Sequence, residues 1–375
     1  ASFTMLAIPF FILSGQMMKR GGIARRLSDF AKTLVGALPG GLAHVNIIAA
    51  MLFGAIAGSA VAAASALGSM LGKRMEEEGY SKEFAAAVNV TSSTTGLIIP
   101  PSNILIVYSL ASGGVSIAAL FLAGYLPGIL TGLFLMIVAA IWAKKRKFPV
   151  GERSKWKDVF KTFLDALPSL FLLVVVIGGI VAGIFTATEA SAVAVLYCLL
   201  LTFIYKETSW KDLPAIFLSS VGTTAIVMLL IGTSMSMSWI MAYENIPQNI
   251  TEILLSVSDS KIVILFIINL ILLFVGIFMD ITPAVLIFTP IFLPVVTSLG
   301  MDPTHFGIIM VLNLCIGLCT PPVGSVLFVG VGVAGTSIQK VVRPLLPLFI
   351  AMIISLLIVT YVPALSLWLP GLFGL

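Results

Sequence analysis

Two Pro-Pro pairs lie deep inside apolar sequence, Pro100-Pro101 in Gly96-Leu-Ile-Ile-Pro100-Pro101-Ser102-Asn103 and Pro321-Pro322 in Gly317-Leu-Cys-Thr-Pro321-Pro322-Val-Gly324. No helix runs through such a pair. Each ring removes a backbone donor, and the residue before a proline leaves the α region. The surrounding sequence is too apolar for a soluble domain: 59% of the chain is hydrophobic and 10% is charged, so runs near 20 residues read as membrane spans. In lipid, unpaired backbone is tolerated only against protein or a wet cavity. Each stretch therefore predicts a broken helix: half-helix, unwound segment, half-helix. Ser92, Ser93, Thr94, Thr95, Ser102 and Asn103 crowd the first break, and Asn313, Thr320 and Ser325 the second.

Taken in order, the chain opens with an apolar segment at 3–18. Residues 19–38 then place Ile23, Leu27, Phe30, Leu34 and Leu38 at helical spacing with charges on other faces, which predicts an interfacial amphipathic helix. The Gly-, Ala- and Ser-rich run 42–72 is too short for two crossings and too long for one upright helix. It predicts a re-entrant hairpin with its tip at Gly58-Ser59, small residues letting the arms approach. The broken span 84–111 follows, with a helix start at Ser81, and then a full span at 117–141. A charged connector occupies 143–165. Spans at 166–186, 190–205 and 213–240 lead to a second amphipathic piece at 246–258, carrying Ile246, Ile250, Ile253, Leu254 and Val257. A second hairpin (262–299) carries Asp280-Ile-Thr282-Pro283 in its middle. The second broken span is 304–334, and a last span covers 342–362.

A shift of 221 residues lays the second half on the first: Phe53 on Phe274, Gly79 on Gly300, Gly96-Leu97 on Gly317-Leu318, and Pro100-Pro101 on Pro321-Pro322. Residues 166–206 have no partner in this register, so about two spans of the first repeat are expected before residue 1. Counting 42–72 as a hairpin that returns to its own side puts 16 of the 21 Lys and Arg, at 19–41, 73–82 and 143–165, on one face. Lys206, Lys211, Lys340 and Arg343 join them, and only Lys261 is opposite. By the positive-inside rule that face is cytoplasmic. The net charge of +5 is thus an orientation signal, and no nucleic-acid partner is expected. The hairpins enter from opposite sides, and the repeats are inverted. The fold class expected is an all-α polytopic membrane protein built from two inverted repeats, 1–142 and 166–375, each with a re-entrant helical hairpin and a broken helix. Paired broken helices at matching positions are the mark of a transporter binding site.

The stretches AIPFFILSGQMM (7–18), FGAIAGSAVA (53–62), GLIIPPSN (96–103), FTATEASAVAVLY (185–197), MDITPAVLIFTPIFLP (279–294) and GLCTPPVG (317–324) resemble, in order and over nearly the whole chain, the large membrane subunit of tripartite ATP-independent periplasmic (TRAP) transporters. The resemblance implies an elevator-type transporter of the bacterial inner membrane. It implies a moving domain of about 42–115 and 262–338 carried by a scaffold, with 19–38 and 246–258 as linking arms. It implies a small four-helix membrane subunit and a periplasmic substrate-binding protein as partners, sodium coupling, and an organic acid substrate such as sialic acid or a C4-dicarboxylate.

Sodium takes oxygen ligands from unwound carbonyls and hydroxyls. Two candidate sodium clusters follow. The first is Gly58, Ser59, Thr95, Pro100, Ser102 and Asn103; the second is Asp280, Thr282, Gly317, Thr320, Pro321 and Gly324. Ser59, Asn103, Asp280 and Thr282 are the substrate candidates. Asp280 stands out because an ionisable group in mid-membrane is expensive, although it could equally cap the second hairpin arm. No arginine lies in either cluster, so a carboxylate falls to helix N-termini, hydroxyls and Asn103. Glu189 reads as a cap or scaffold contact. His44, His305 and the cysteines Cys198, Cys315 and Cys319 read as packing residues. A passive channel and an intramembrane enzyme are the rival classes. The enzyme lacks an aspartate dyad, an HExxH motif or a nucleophile–base pair.

Overall fold

The computed structural model describes residues 3–20, 22–148, 150–151, 153–205, 209–258 and 260–375. Lys206, one of the orientation charges, lies outside them. The described chain is all helical. After a single turn at Phe3–Leu6 come α1 (Ala7–Arg20), α2 (Ile23–Val35), α3 (Gly41–Ala57), α4 (Ala60–Glu77), α5 (Lys82–Thr95), α6 (Asn103–Ala111) and α7 (Ile117–Arg146). Then follow α8 (Trp156–Val181), α9 (Ala187–Ile204), α10 (Leu213–Tyr243), α11 (Ile246–Val257), α12 (Lys261–Phe278) and α13 (Ile281–Ser298). The chain ends with α14 (Pro303–Gly317), α15 (Ser325–Ala334), α16 (Ile338–Tyr361) and α17 (Ala364–Leu372). Among the described residues, seven helices are long and apolar enough to cross a membrane.

The element order from α1 to α7 recurs from α10 to α16. Helices α3 and α4 turn at Gly58-Ser59, where Gly58 has φ 61, a conformation that favours glycine. Ser59 caps α4 by accepting the Ala62 N–H at 3.2 Å. Helices α12 and α13 turn at Met279-Asp280. The breaks fall between α5 and α6 and between α14 and α15, at the Pro-Pro pairs. Both Pro-Pro bonds are cis.

The first arm of each hairpin crosses its broken helix through a pair of glycines. A Cβ on Gly96 would stand 2.5 Å from Gly54 Cα, and one on Gly317 would stand 2.5 Å from Gly276 Cα. The crossing pairs stand 5 residues before the N-cap at Ser59 but 4 before the one at Asp280. The first tip is thus one residue longer, and the left-handed turn at Gly58 takes up the difference. A polar clasp also recurs. Ser92 Oγ donates to Asn46 Oδ1 at 3.2 Å in the first half, and Asn313 Nδ2 donates to Asn269 Oδ1 at 2.7 Å in the second. Buried amides and hydroxyls must be paired, and these pairs fix the register of arm on broken helix. The broken helices meet where Cys319 Sγ lies 3.5 Å from Val90 O and from Thr94 Oγ1.

Packing separates the elements into groups. The hairpins and broken helices form one body, and α7 and α16 pack against each other and against α5 within it. The close approach of α7 needs small residues, since a Cβ on Gly124 would lie 2.2 Å from Ile98 O in the first break. Helix α1 lies along α9, α8 also packs on α9, and α10 packs on α1 and α13.

Some boundaries differ from the expectation. Helix α1 runs on to Arg20, and α2 starts only after Gly22, whose φ of 64 turns the chain. The buried stripe of α2 is Ile23, Leu27 and Ala31, while Leu34 is exposed. In α11, Pro247 and Leu254 are buried, but Ile253 and Val257 face outward. Helix α8 reaches back into the charged connector to Trp156 because Phe163 packs on Phe30 of α2 (ring centroids 5.6 Å). Helix α17 was not anticipated.

Candidate functional site

A cavity of about 340 Å³ lies where the hairpin tips meet the starts of α6 and α15. Gly58, Ser59, Asn103, Asp280, Thr282 and Ser325 line it. Four helices begin there: α4 after Ser59, α6 at Asn103, α13 after Asp280 and α15 at Ser325. Helix starts carry unpaired N–H groups and the positive end of the helix dipole, and they favour anions. The four starts are not equivalent. In α15 the Val326 and Leu327 N–H groups already donate to Leu318 O at 3.2 and 3.3 Å. In α4 Ser59 occupies one N–H. In α6 the Ser102 hydroxyl does not cap the helix; it donates instead to Leu97 O.

Asp280 sits at the N-cap of α13, yet its side chain closes no capping hydrogen bond. The Ile281 and Thr282 N–H groups lie near the carboxyl without reaching capping geometry, and the residue is exposed towards the cavity. Asp280 thus holds both positions, at the start of α13 and on the cavity wall. Among the residues lining the cavity, Asp280 is the one with a charged side chain.

The structure divides each candidate cluster in two. Of the first, Gly58, Ser59 and Asn103 line the cavity and touch: a Cβ on Gly58 would be 2.8 Å from Asn103 Nδ2. Asn103 Oδ1 is buried with no partner. Thr95, Pro100 and Ser102 are buried outside the lining, and Thr95 Oγ1 donates to Ser92 O. Of the second, Asp280 and Thr282 line the cavity. Gly317 is held against Gly276, Thr320 Oγ1 donates to Ile316 O at 2.7 Å, and Pro321 is half-buried. Gly324, at φ 47, donates its N–H to Ile277 O at 3.2 Å and so ties the break to the hairpin. Ser102 and Thr320 both commit their protons to carbonyls. Such a hydroxyl presents only lone pairs to its other neighbours, which suits a hard cation.

The crowding of Ser92, Ser93 and Thr94 does not belong to the cavity. Their hydroxyls donate to carbonyls one turn back in α5, with Ser92 also reaching Asn46. Asn313 is spent on Asn269. Ser325 does reach the cavity, and its hydroxyl has no partner. Glu189 is a cap: its carboxylate accepts the Thr186 N–H and hydroxyl, both at 2.8 Å. His44 and His305 bond to Pro39 O and Thr360 O, and all three cysteines are free and buried.

The residues that the sequence did not single out are on the facing helices. Gln16 of α1 and Thr223 of α10 line the cavity, beside Ile226, Val227 and Leu230. Gly15 lets α1 touch the first tip, since a Cβ there would lie 2.7 Å from Ala57 O. The signal for these residues was their polarity inside apolar runs.

A second cavity, of about 520 Å³, adjoins along the same helices. It is lined by Met5, Ser109, Gly113, Gly114, Leu286, Pro290 and, on α10, Ile231, Ser234, Met235 and Ser238. The α10 positions repeat the pattern 223, 226, 227, 230 of the first cavity, displaced by eight residues.

Comparisons with known proteins agree with this architecture. The family described as tripartite ATP-independent periplasmic transporter, DctM component, matches residues 1–365. A Salmonella typhimurium protein named YgiK is 60% identical over 99% of this chain and 86% of its own. The C4-dicarboxylate TRAP transporter large permease protein DctM of Pseudomonas aeruginosa is 41% identical over 100% of this chain and 87% of its own. The sialic acid TRAP transporter large permease protein SiaM of Vibrio cholerae is 40% identical over 99% and 87%. Among solved structures, the YdaH transporter of Alcanivorax borkumensis superposes with a TM-score of 0.70 at 12% identity, covering 99% of this chain and 85% of that one; that likeness concerns the fold alone.

Proposed function

The chain belongs to the DctM family of tripartite ATP-independent periplasmic transporter large permeases, and on that footing we propose that it carries an organic acid together with sodium, its hairpins and broken helices moving as one body along α1 and α10. It is a multi-pass protein of the bacterial inner membrane and a transporter subunit, not an enzyme. A periplasmic substrate-binding protein delivers the acid, and a small four-helix membrane subunit accompanies the chain. The relatives point to small organic acids, of the C4-dicarboxylate and sialic acid classes.

The observation that carries this reading is the convergence of four helix starts and one carboxylate on a single cavity shared by both halves. The helix starts offer N–H groups to a carboxylate, with α6 and Asn103 the least committed. Asp280 opposes the same anion. Two like charges about 4 Å apart repel by roughly 4 kcal/mol at an effective dielectric near 20. Sodium taken up at Ser59 and Ser102, and beside Asp280 at Thr282 and Thr320, with break carbonyls as further ligands, cancels that repulsion. Cation and acid then bind better together than apart, which is symport.

The two cavities along α10 support the elevator reading. Eight residues of helix span about 12 Å. A rise of the moving body by that distance sets the tips against Ile231, Ser234, Met235 and Ser238 in place of Thr223, Ile226, Val227 and Leu230. Helices α7 and α16 move with the tips because they pack on α5, which enlarges the moving domain beyond 42–115 and 262–338. A passive channel is the alternative. Counterflow in sealed vesicles separates the two, since a carrier exchanges labelled acid and a channel only equilibrates it.

Uptake into proteoliposomes holding the full chain and its small subunit, fed by loaded binding protein, is expected to run in sodium and stall in potassium. Ser102→Ala and Thr320→Ala each remove one hydroxyl from a break. Each is expected to raise the half-maximal sodium concentration by roughly two- to tenfold, the worth of one hydrogen-bond-scale interaction, leaving the binding protein's own affinity untouched. Equal uptake in potassium would sink the coupling, and an unmoved sodium curve in both variants would make the two hydroxyls packing groups.

A further inference from the structure

At the basic end of the bundle, away from the transport cavity, a groove of about 610 Å³ runs between the end of α2 and the start of α8. Leu34, Ala37 and Leu38 form one wall, and Trp156 and Val159 the other. Thr33, Arg153 and Ser154 provide its polar groups. The apolar walls are open: Leu34 is 51% exposed, Leu38 43% and Trp156 82%, with Phe160 at 58% just beyond. Residues 144–161 hold eight Lys and Arg against two acids, Glu152 and Asp158. Helix α8 starts here with Lys155 at its N-cap and no side-chain cap; Asp158 and Val159 N–H donate to Lys155 O, which leaves the Trp156 and Lys157 N–H groups at the positive end of the helix. Open apolar surface with Arg153 in its wall and Lys155 next in the chain is unfavourable towards water and suited to the membrane interface, where acyl chains and phosphates lie side by side.

We propose that this groove is a docking site for an anionic phospholipid of the cytoplasmic leaflet, its phosphate between Arg153, Lys155 and the start of α8, its acyl chain along Leu34, Leu38 and Trp156. The inference rests on the orientation adopted under the transporter reading, in which the basic face is cytoplasmic. The groove also sits on a functional seam. Deeper along the same contact, Arg26 pairs with Asp165 at 3.5 Å, its guanidinium lies 3.7 Å from the centre of the Tyr205 ring, and Thr33 bonds Thr162 at 3.0 Å. Helix α2 is thereby fastened to α8, while its C-terminal end leads straight into the first hairpin. A lipid in the groove lengthens the seam and steadies the arm against which the hairpin moves.

The test uses the full chain with its small subunit in phosphatidylcholine vesicles carrying photoreactive phosphatidylglycerol or photoreactive phosphatidylcholine. Phosphatidylglycerol is expected to label peptides spanning 33–38 and 150–159. Arg153→Gln with Lys155→Gln is expected to cut that labelling by roughly tenfold or more, given what two cations contribute near an anionic surface. Lys144→Gln with Lys145→Gln, the same change in net charge, is expected to leave it within about twofold. Equal labelling by both lipids, no labelling of the groove, or equal loss in the two double variants overturns the site. Displacement by inorganic phosphate overturns the lipid as its occupant. Uptake of the acid is measured in parallel, and uptake that persists without groove labelling removes the lipid site while leaving the transporter reading in place.

Discussion

Gly96→Ala and Gly317→Ala are each expected to lower uptake at least tenfold while the protein still inserts and purifies. An alanine inside a helix ordinarily stabilises it by up to about 1 kcal/mol over glycine. Here the new Cβ would stand 2.5 Å from Gly54 Cα and 2.7 Å from Ala50 O at the first crossing, and 2.5 Å from the Gly276 backbone at the second. Those neighbours are main chain, so no side chain can swing aside. Overpacking a well-fitted contact costs about 1–3 kcal/mol even when side chains can adjust. The relief available is to push the hairpin arm off the broken helix, which displaces the tip from the cavity. Helices α8 and α9 do not touch either crossing and keep their packing. Gly72→Ala and Gly332→Ala are the controls: nothing lies within 4 Å of a Cβ at either position, and uptake is expected to stay within about twofold of wild type. If all four variants transport alike, the glycine crossings do not position the site.

Asp280→Asn is expected to raise the sodium requirement of uptake by tenfold or more, with Asp280→Glu intermediate. The carboxylate is the formal charge on the cavity wall. Its neutral isostere keeps size and one carbonyl oxygen but removes the attraction for a cation, and tenfold corresponds to about 1.4 kcal/mol. The acid itself should then bind less dependently on sodium, because the repulsion that sodium cancels is gone. Uptake measured against sodium at fixed binding-protein concentration reads both effects. A sodium curve that is unchanged in Asp280→Asn would return Asp280 to a purely structural role.

Much of this arrangement was legible because the signals were backbone signals. Pro100-Pro101 and Pro321-Pro322 interrupt a helix interior, and Gly58 marks the one tip that needs a left-handed turn. Those constraints hold without any neighbour. The side-chain chemistry was less legible. Ser92, Ser93 and Thr94 looked like site residues from their polarity, but hydroxyls in a buried helix can satisfy themselves on carbonyls one turn back, and these do. Gln16 and Thr223 stand out in sequence only as polar residues in apolar runs, and it is the packing of α1 and α10 that brings them to the cavity. The apolar stripe of α11 did not tell which of its residues pack on protein, since such a stripe looks the same whether it meets protein or lipid: Leu254 is buried, and Ile253 and Val257 are exposed.

Paired cysteines report whether the hairpin tips travel along α10. Thr282→Cys combined with Ile226→Cys places one pair in the inner cavity. Thr282→Cys combined with Ser234→Cys, eight residues higher on the same face, reports the outer position. The three native cysteines are buried and compete little. Cross-linking is followed in membranes with the small subunit present, with and without sodium, loaded binding protein and acid. Both pairs are expected to cross-link, in proportions that shift with sodium and acid, and either cross-link is expected to stop uptake until it is reduced. Cross-linking of the inner pair alone under every condition, with transport intact, would contradict the account: the tips would then stay level with Ile226 while substrate crosses.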